Sequence, residues 1–471
     1  MRRGLRSVGG IAVLLLAMVG LATPAPAVVG CTFAAPTATV TADAGDAVVI
    51  LRSGDAIHVN GSTCESATVS NTDTIAVEAT GVVASVTVDL SGGPFAPGAT
   101  AESDDSSEIE INLPGDVPLV RVLGSTGADL VTAGAGGINL NANETTPDVD
   151  VAVTGTPSIE IDGADGDDVL SIGGGAATGN AVRGTLRGGL GNDTLVTGAP
   201  GSAIDGGDGT DTVDYSGAIG LDVNLATGQV THEAGGNDTL TSIESFVGSP
   251  GNDHIVGTEG DDTIDGGDGV DEIDYGASST AVVVELRRQS ATGQGTDVLR
   301  NIENVIGTAS DDVLTGDDEA NVLDGGTGDD TIDGGGGGDE LVGGDGDDTV
   351  SFRSSGSGVT VDLKKGTAEG AGTDTLDAFE RVTGSPKADE ITGDGKANLL
   401  EGVAGNDRIF GRAGDDRIRG GNGNDFVLGQ GGDDVVRGEK GRDQHNGGKG
   451  TDHCKGGPGP DSFVLCENFP T

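Results

Sequence analysis

The side chains with the most chemistry to offer in this sequence are its aspartates, because they recur at a fixed spacing. Read in nines from Gly384, the chain runs GSPKADEIT, GDGKANLLE, GVAGNDRIF, GRAGDDRIR, GGNGNDFVL, GQGGDDVVR, GEKGRDQHN, GGKGTDHCK and GGPGPDSFV, ending at Val464. Gly opens every unit, Asp fills the sixth place in eight of nine (Asn398 is the exception), and the eighth place is usually aliphatic. The same frame recurs upstream. Residues 307–351 hold Asp312, Asn321, Asp330, Asp339 and Asp348 at the sixth place, and residues 248–274 hold Asp253, Asp262 and Asp271. Residues 188–214 hold Asp193 and Asp211 around a degenerate middle unit with Ser202, and isolated units stand at 163–171 and 124–132. Such register excludes a disordered Gly/Asp linker and marks a repeat architecture.

The elements that must position these carboxylates follow from the other places. Gly at places one, two and four permits backbone geometry that a Cβ resists, so these places form a tight turn. The aliphatic eighth place sits mid-way along a short strand and points into a core. Two turns and two strands close one coil, which stacks unit n on unit n+2 about 4.8 Å apart. Asp407, Asp425 and Asp443 then form one ladder, and Asp416, Asp434 and Asp452 a second. Stacked anions destabilise a coil unless a cation lies between them. Hard oxygen donors select calcium, and a flexible all-protein cage disfavours magnesium, which keeps its waters.

The units GGDGTDTVD (206–214), GGDGVDEID (266–274), GGTGDDTID (325–333) and GGDGDDTVS (343–351) resemble the RTX, or haemolysin-type, calcium-binding repeat. The resemblance spans roughly residues 163–464. It implies an all-β fold, a right-handed parallel β-roll (a β-solenoid) with multiple Ca2+ ions in the turns, held by sixth-place Asp and turn carbonyls. Carried onto this chain, the metal ligands would be Asp193, Asp211, Asp253, Asp262, Asp271, Asp312, Asp330, Asp339, Asp348, Asp407, Asp416, Asp425, Asp434, Asp443 and Asp452. Asn321, Asn398 and Ser202 remove the carboxylate from their units. A cleavable N-terminal signal and paired cysteines depart from the RTX proteins of Gram-negative bacteria. In these features the chain is similar to the secreted calcium-binding repeat proteins of actinobacteria.

Arg2, Arg3 and Arg6, the apolar stretch from Ile11 to Ala22 and Ala25-Pro26-Ala27 read as a secretory signal over residues 1–27, too short for a transmembrane anchor. The expected product is extracellular. Residues 28–120 show short β-type alternation and are read as a small N-terminal β region. Degenerate repeats occupy 121–187. The roll occupies 188–464 with insertions at 215–247, 275–306 and 352–383, and 465–471 is a tail. Each insertion ends in an acidic-aliphatic run: GNDTLTSIESFVG, GTDVLRNIENVIG or GTDTLDAFERVTG. Four cysteines in an oxidising compartment suggest two bridges. The local pairing Cys31–Cys64 and Cys454–Cys466 is the one expected.

The chain has 471 residues, 77 Asp+Glu against 25 Lys+Arg, a formal charge of −52, 88 Gly and no Trp. That charge disfavours nucleic acid as a partner, and 2% aromatic residues disfavour one large conventional core. The excess lies upstream: residues 384–464 carry 14 acidic and 11 basic side chains, with Arg408, Arg417, Arg419 and Arg437 expected to face outward. Enzyme motifs do not appear. Gly236 stands where a zinc-protease HExxH would need its second His after His232-Glu233, and no Ser has Gly on both sides at two residues' distance. The histidines His58, His232, His254, His445 and His453 are scattered. The expected function is a non-enzymatic, secreted calcium-binding protein with a structural or matrix role. Alternatives are a cell-envelope adhesin and, further off, a hydrolase with a repeat tail.

Overall fold

Places seven to nine of each repeat alternate outward, inward, outward, and strands of three residues are the result. The computed structural model describes residues 29–95, 109–115, 117–140, 149–153, 157–175, 179–370 and 372–467, so the expected signal at 1–27 lies outside the described residues. The strands form two long, mainly parallel sheets with an apolar core between them. In one, Ile391, Ile409, Val427, His445 and Phe463 are direct neighbours at steps of 18 residues. In the other, Val382, Leu400, Ile418, Val436 and Cys454 follow the same step. The aliphatic members of both series are buried. Two nonapeptides therefore make one coil, and the molecule is a parallel β-roll. Among the described residues, helix is confined to the 3-10 turn Leu286–Arg288. No described helix is long and apolar enough to cross a membrane.

The described residues between 29 and 123 join the same two ladders. Thr37–Ala42 pairs in parallel with Thr74–Ala79, and Ala47–Ser53 pairs with Ser85–Asp89, which leads through Leu119–Leu123 to Ser158–Asp165 and Gly184–Leu190. The N-terminal β region is thus continuous by hydrogen bonding with the repeats that follow it. Its outermost strands run antiparallel, Gly30–Ala34 on one sheet and Ser62–Thr68 on the other. The bridge Cys31–Cys64 ties these two strands, and Cys454–Cys466 ties the last coil to its tail, as the local pairing expected. Antiparallel strands and a cross-link at the end of a roll blunt an edge that would otherwise template further pairing.

The insertions continue the sheets. Leu221–Asn224, Gln229–His232 and Asn237–Thr241 form an antiparallel set whose outer strands pair in parallel with the coils below and above, through Ile204↔Leu240 and Val223↔Ile255. The second insertion does the same on the opposite sheet with Val283–Glu285, Ser290–Thr292 and Thr296–Arg300. The third returns to the first sheet with Thr360–Asp362, Thr367–Glu369 and Thr373–Asp377.

Each insertion begins with a buried aromatic residue: Tyr215, Tyr275 or Phe352. The Tyr215 hydroxyl donates to Asp238 Oδ2 at 3.1 Å and the Tyr275 hydroxyl to Asp297 Oδ2 at 2.9 Å. Burial and the adjacent carboxylate both push these phenols above their ordinary range, so they remain donors. Removing the Tyr275 hydroxyl leaves Asp297 Oδ2 buried without that donor. Tyr275→Phe is expected to cost about 1–3 kcal/mol of stability in denaturant unfolding.

Candidate metal centres

The sixth-place aspartates are buried in a row, with exposures between 0 and 3% for all fifteen expected ligands. Each does two jobs. Its backbone N–H donates to a carboxylate oxygen one coil on, in the uninterrupted repeats the Oδ1 of the next sixth-place residue, as in Asp407 to Asp425 (2.9 Å), Asp425 to Asp443 (3.0 Å) and Asp416 to Asp434 (2.9 Å). Its Oδ2 is turned toward the place-one glycine of its own unit. A Cβ added at Gly402 would collide with Asp407 Oδ2 and the Gly420 carbonyl oxygen. One at Gly429 would collide with Asp434 Oδ2 and the Gly447 carbonyl oxygen. Place one is glycine because two oxygens, one from each of two successive coils, crowd its α-carbon.

The fate of Oδ2 divides the rungs into two classes. In twelve aspartates among the described residues it is buried and accepts no hydrogen bond: Asp168, Asp193, Asp211, Asp271, Asp330, Asp348, Asp407, Asp416, Asp425, Asp434, Asp443 and Asp452. In others the unit satisfies its own carboxylate. Ser249 N–H donates to Asp253 Oδ2 (2.6 Å) and its hydroxyl to Oδ1 (2.8 Å). Thr258 does the same for Asp262, Thr308 for Asp312 and Ser385 for Asp389. Ser125 N–H likewise caps Asp129.

Place two decides the class. Every open carboxylate follows a place-two residue with positive φ, whether glycine (Gly189, Gly207, Gly267, Gly326, Gly344, Gly421, Gly448) or not (Ala164, Val403, Arg412, Gln430, Glu439). No capped one does: its place two is Ser or Thr outside that region, which aims the N–H at the carboxylate. Asp339 shares the open backbone through Gly335 at φ +87°. A positive φ at Val403 is costly for a β-branched residue, and such strain concentrates at functional sites. The Asn units resolve themselves: Asp317 N–H donates to Asn321 Oδ1, while Asn321 Nδ2 donates to the Glu303 carbonyl (2.9 Å). Asn398 repeats the pattern with Asp394 and the Glu380 carbonyl. Ser202 passes its N–H to Asp238 Oδ1.

Several ladder members escaped the sequence reading. Asp238, Asp297 and Asp374 continue the rungs inside the insertions, accepting from Ser202, Asp262 and Asp339 N–H. Glu244, Glu303, Glu380 and Glu467 accept from Asp211, Asp271, Asp348 and Asp452 N–H where the next nonapeptide is missing. The signal was present as a recurring Gly-x-Asp with Glu six residues later in all three insertions. A further ladder runs at place five in the opposite sense. There Asn406 Oδ1 accepts from Asn424 N–H, Asp415 from Asp433 and Asp329 from Asp347.

The donor set fits a hard cation. Among the described residues no three or more His, Cys, Asp or Glu side chains converge as a cluster. Each open rung instead offers one buried carboxylate oxygen beside main-chain carbonyls. Calcium takes such mixed oxygen sets, whereas softer metals prefer imidazole and thiolate. Burial first, then neighbouring carboxylates, pushes Asp271, Asp407 and Asp416 up to about 7 and Asp330, Asp425 and Asp434 up to about 6.

The metal-free roll therefore holds protons that the unfolded chain, with Asp near its ordinary value of about 3.9, has released. Its stability is fullest below that value and falls as pH rises through 6 to 7. Freed of metal on chelating resin, the protein should melt at a lower temperature at pH 8 than at pH 5. Saturating calcium should raise the pH 8 value most, because the ion replaces the protons. Equal metal-free melting at both pH values would contradict the burial account.

In comparisons with known proteins, the model of the RTX calcium-binding nonapeptide repeat (4 copies) matches residues 178–199, 247–279, 301–332, 315–350, 383–418, 392–427 and 428–463. These stretches hold most of the uninterrupted repeats, leaving out residues 200–214, and omit most of each insertion. No curated protein matches the chain.

Proposed function

The chain carries RTX calcium-binding nonapeptide repeats, and on that premise we propose that it is a secreted, non-catalytic roll whose open carboxylates hold calcium and whose role is structural. The reading rests on one observation: buried Oδ2 atoms without a donor occur where place two has positive φ, while a place-two Ser or Thr caps Asp129, Asp253, Asp262, Asp312 and Asp389. Burying an unpaired carboxylate costs several kcal/mol, and a dozen of them in one chain call for protons in the metal-free roll or for cations in their place.

The calcium ligands of this proposal are Asp168, Asp193, Asp211, Asp271, Asp330, Asp339, Asp348, Asp407, Asp416, Asp425, Asp434, Asp443 and Asp452. Asp253, Asp262 and Asp312, capped by their own units, carry no ion. Secretion through residues 1–27 supplies a calcium-rich, oxidising setting that suits both the ladders and the bridges. The one histidine–carboxylate–tyrosine group, His232, Asp238 and Tyr215, is buried and packs the first insertion, which suits a structural role.

Calorimetric titration of the mature protein tests the ligand set. Ser385→Gly should add one calcium, by freeing the Asp389 carboxylate. Gly421→Ser should remove one, because serine there leaves the left-handed region and caps Asp425. Unchanged stoichiometry in both variants would overturn the role given to place two.

A second reading, contact with an acidic polymer of the cell envelope, is favoured by the outward arginines of the last block. Arg417 and Arg437 stand exposed on neighbouring strands of one sheet, while Arg419 is held by Glu401 at 2.6 Å. If that face binds such a polymer, the protein should remain on washed cells and be released by salt. Arg417→Glu with Arg437→Glu should abolish the retention.

A further inference from the structure

Place eight is aliphatic in nearly every repeat, and one unit breaks the rule with a side chain that carries donor atoms. His445 occupies the eighth place of GEKGRDQHN, between Val427 and Phe463 in the core of one sheet. It is 2% exposed, and neither ring nitrogen has a hydrogen-bond partner. Its ring lies 5.1 Å from that of Phe463 in a stacked arrangement, which fixes its plane. A buried imidazole with both nitrogens unpaired is costly, and each such group calls for an explanation.

The explanation lies in its own turn. A Cβ added at Gly438 would meet Asp443 Oδ2 and His445 Nε2, both closer than 3.0 Å. Asp443 Oδ2 is one of the open carboxylate oxygens, itself buried and without a partner. At comparable rungs the corresponding neighbour is a main-chain carbonyl oxygen, as Gly420 is at Gly402. Here an imidazole nitrogen comes first. Two unpartnered donors of different hardness, one carboxylate oxygen and one imidazole nitrogen, thus lie side by side against the Gly438 α-carbon, both from a single unit.

We propose that the Asp443–His445 rung binds a borderline transition cation of the zinc class, in contrast to the all-oxygen rungs that take calcium. Imidazole suits zinc, cobalt and nickel far better than calcium. Zinc in proteins is commonly held by His nitrogen and Asp oxygen at about 2.0–2.2 Å. The proposal rests on the ladder being an ion-binding device, and adds a second ion class at one named rung. That rung adjoins the last coil, which Cys454–Cys466 and the Glu467–Asp452 contact already fasten. A tighter ion here would lock the end of the roll independently of calcium.

The test uses Co2+ as a spectroscopic stand-in for zinc, added to the full mature protein with calcium in excess. The wild-type protein should take up one cobalt that excess calcium does not displace, with a visible absorption band from a nitrogen-containing ligand set, and zinc should displace it. His445→Val restores the aliphatic residue found in other units, so the coil should form. It should lower cobalt affinity by roughly tenfold or more while leaving calcium stoichiometry within one ion of wild type. Asp443→Asn should weaken cobalt as well, and His453→Asn, at an exposed place seven, should leave it unchanged. Cobalt uptake that survives His445→Val, or that follows His453, would overturn the proposal, as would no calcium-resistant uptake at all. If calcium fails to bind anywhere and cobalt still binds through His445, the calcium reading falls and this one stands.

Discussion

A carboxylate buried at a fixed point of almost every nonapeptide is the constraint on which the rest of this roll depends. Two unit charges about 5 Å apart repel by about 3 kcal/mol at an effective dielectric near 20, and each carboxylate also loses hydration on burial. The backbone answers half of the demand through the N–H of the preceding coil, which meets Oδ1. The other half is met by a place-two Ser or Thr or by a phenol at the start of an insertion, and at the open rungs it is left to the cation proposed for them. Glycine at place one, the turn geometry at place two and the lack of bulk around both follow from keeping Oδ2 reachable. The chain's large negative charge then separates into two populations. The place-six carboxylates are buried and need an answer, while the place-five side chains are exposed and spend one oxygen on the next coil.

The repeat, its coil of two units, the inward eighth place and the two aspartate ladders were legible in the sequence, because a period of nine survives substitution. Asp407, Asp425 and Asp443 stand in the order that spacing required. What the sequence concealed were features that break the period. The insertions keep the ladder with Asp238, Asp297 and Asp374; the last two fall one residue short of the count in nines, and Asp238 keeps that count but lies beyond the uninterrupted units. The described strands between 29 and 123 continue both sheets without the nonapeptide's glycines to advertise it, since alternation alone does not say which strand pairs with which. The division into open and capped rungs turns on the sign of one dihedral. Val403 and Arg412 would not be picked out by residue type, because both residues usually avoid that region.

The basic residues of the last block show a similar economy. Arg419 reaches Glu401 one coil back, and Arg412 clasps Asp362 of the third insertion with two hydrogen bonds at 2.9 and 3.1 Å. Arg408 lies over the Phe426 ring at 5.9 Å. Several arginines therefore belong to the roll itself, fastening neighbouring coils and the insertion, and Arg417 and Arg437 remain outward.

The distribution of capped units has a kinetic meaning. Each block that follows an insertion opens with two units that satisfy themselves: Ser249 with Thr258, Thr308 with Asp317, and Ser385 with Asp394. Two units are one complete turn of the roll. Each of these three blocks thus begins with a self-satisfied turn and continues into units whose carboxylates are open, whereas the block at 188–214 opens directly on the open Asp193. A parallel solenoid is slow to start, because its first contacts close long loops, and quick to extend once an edge exists. On the proposed calcium reading, the self-capped turns would serve as built-in seeds, from which growth in calcium would start at several places along the chain at once.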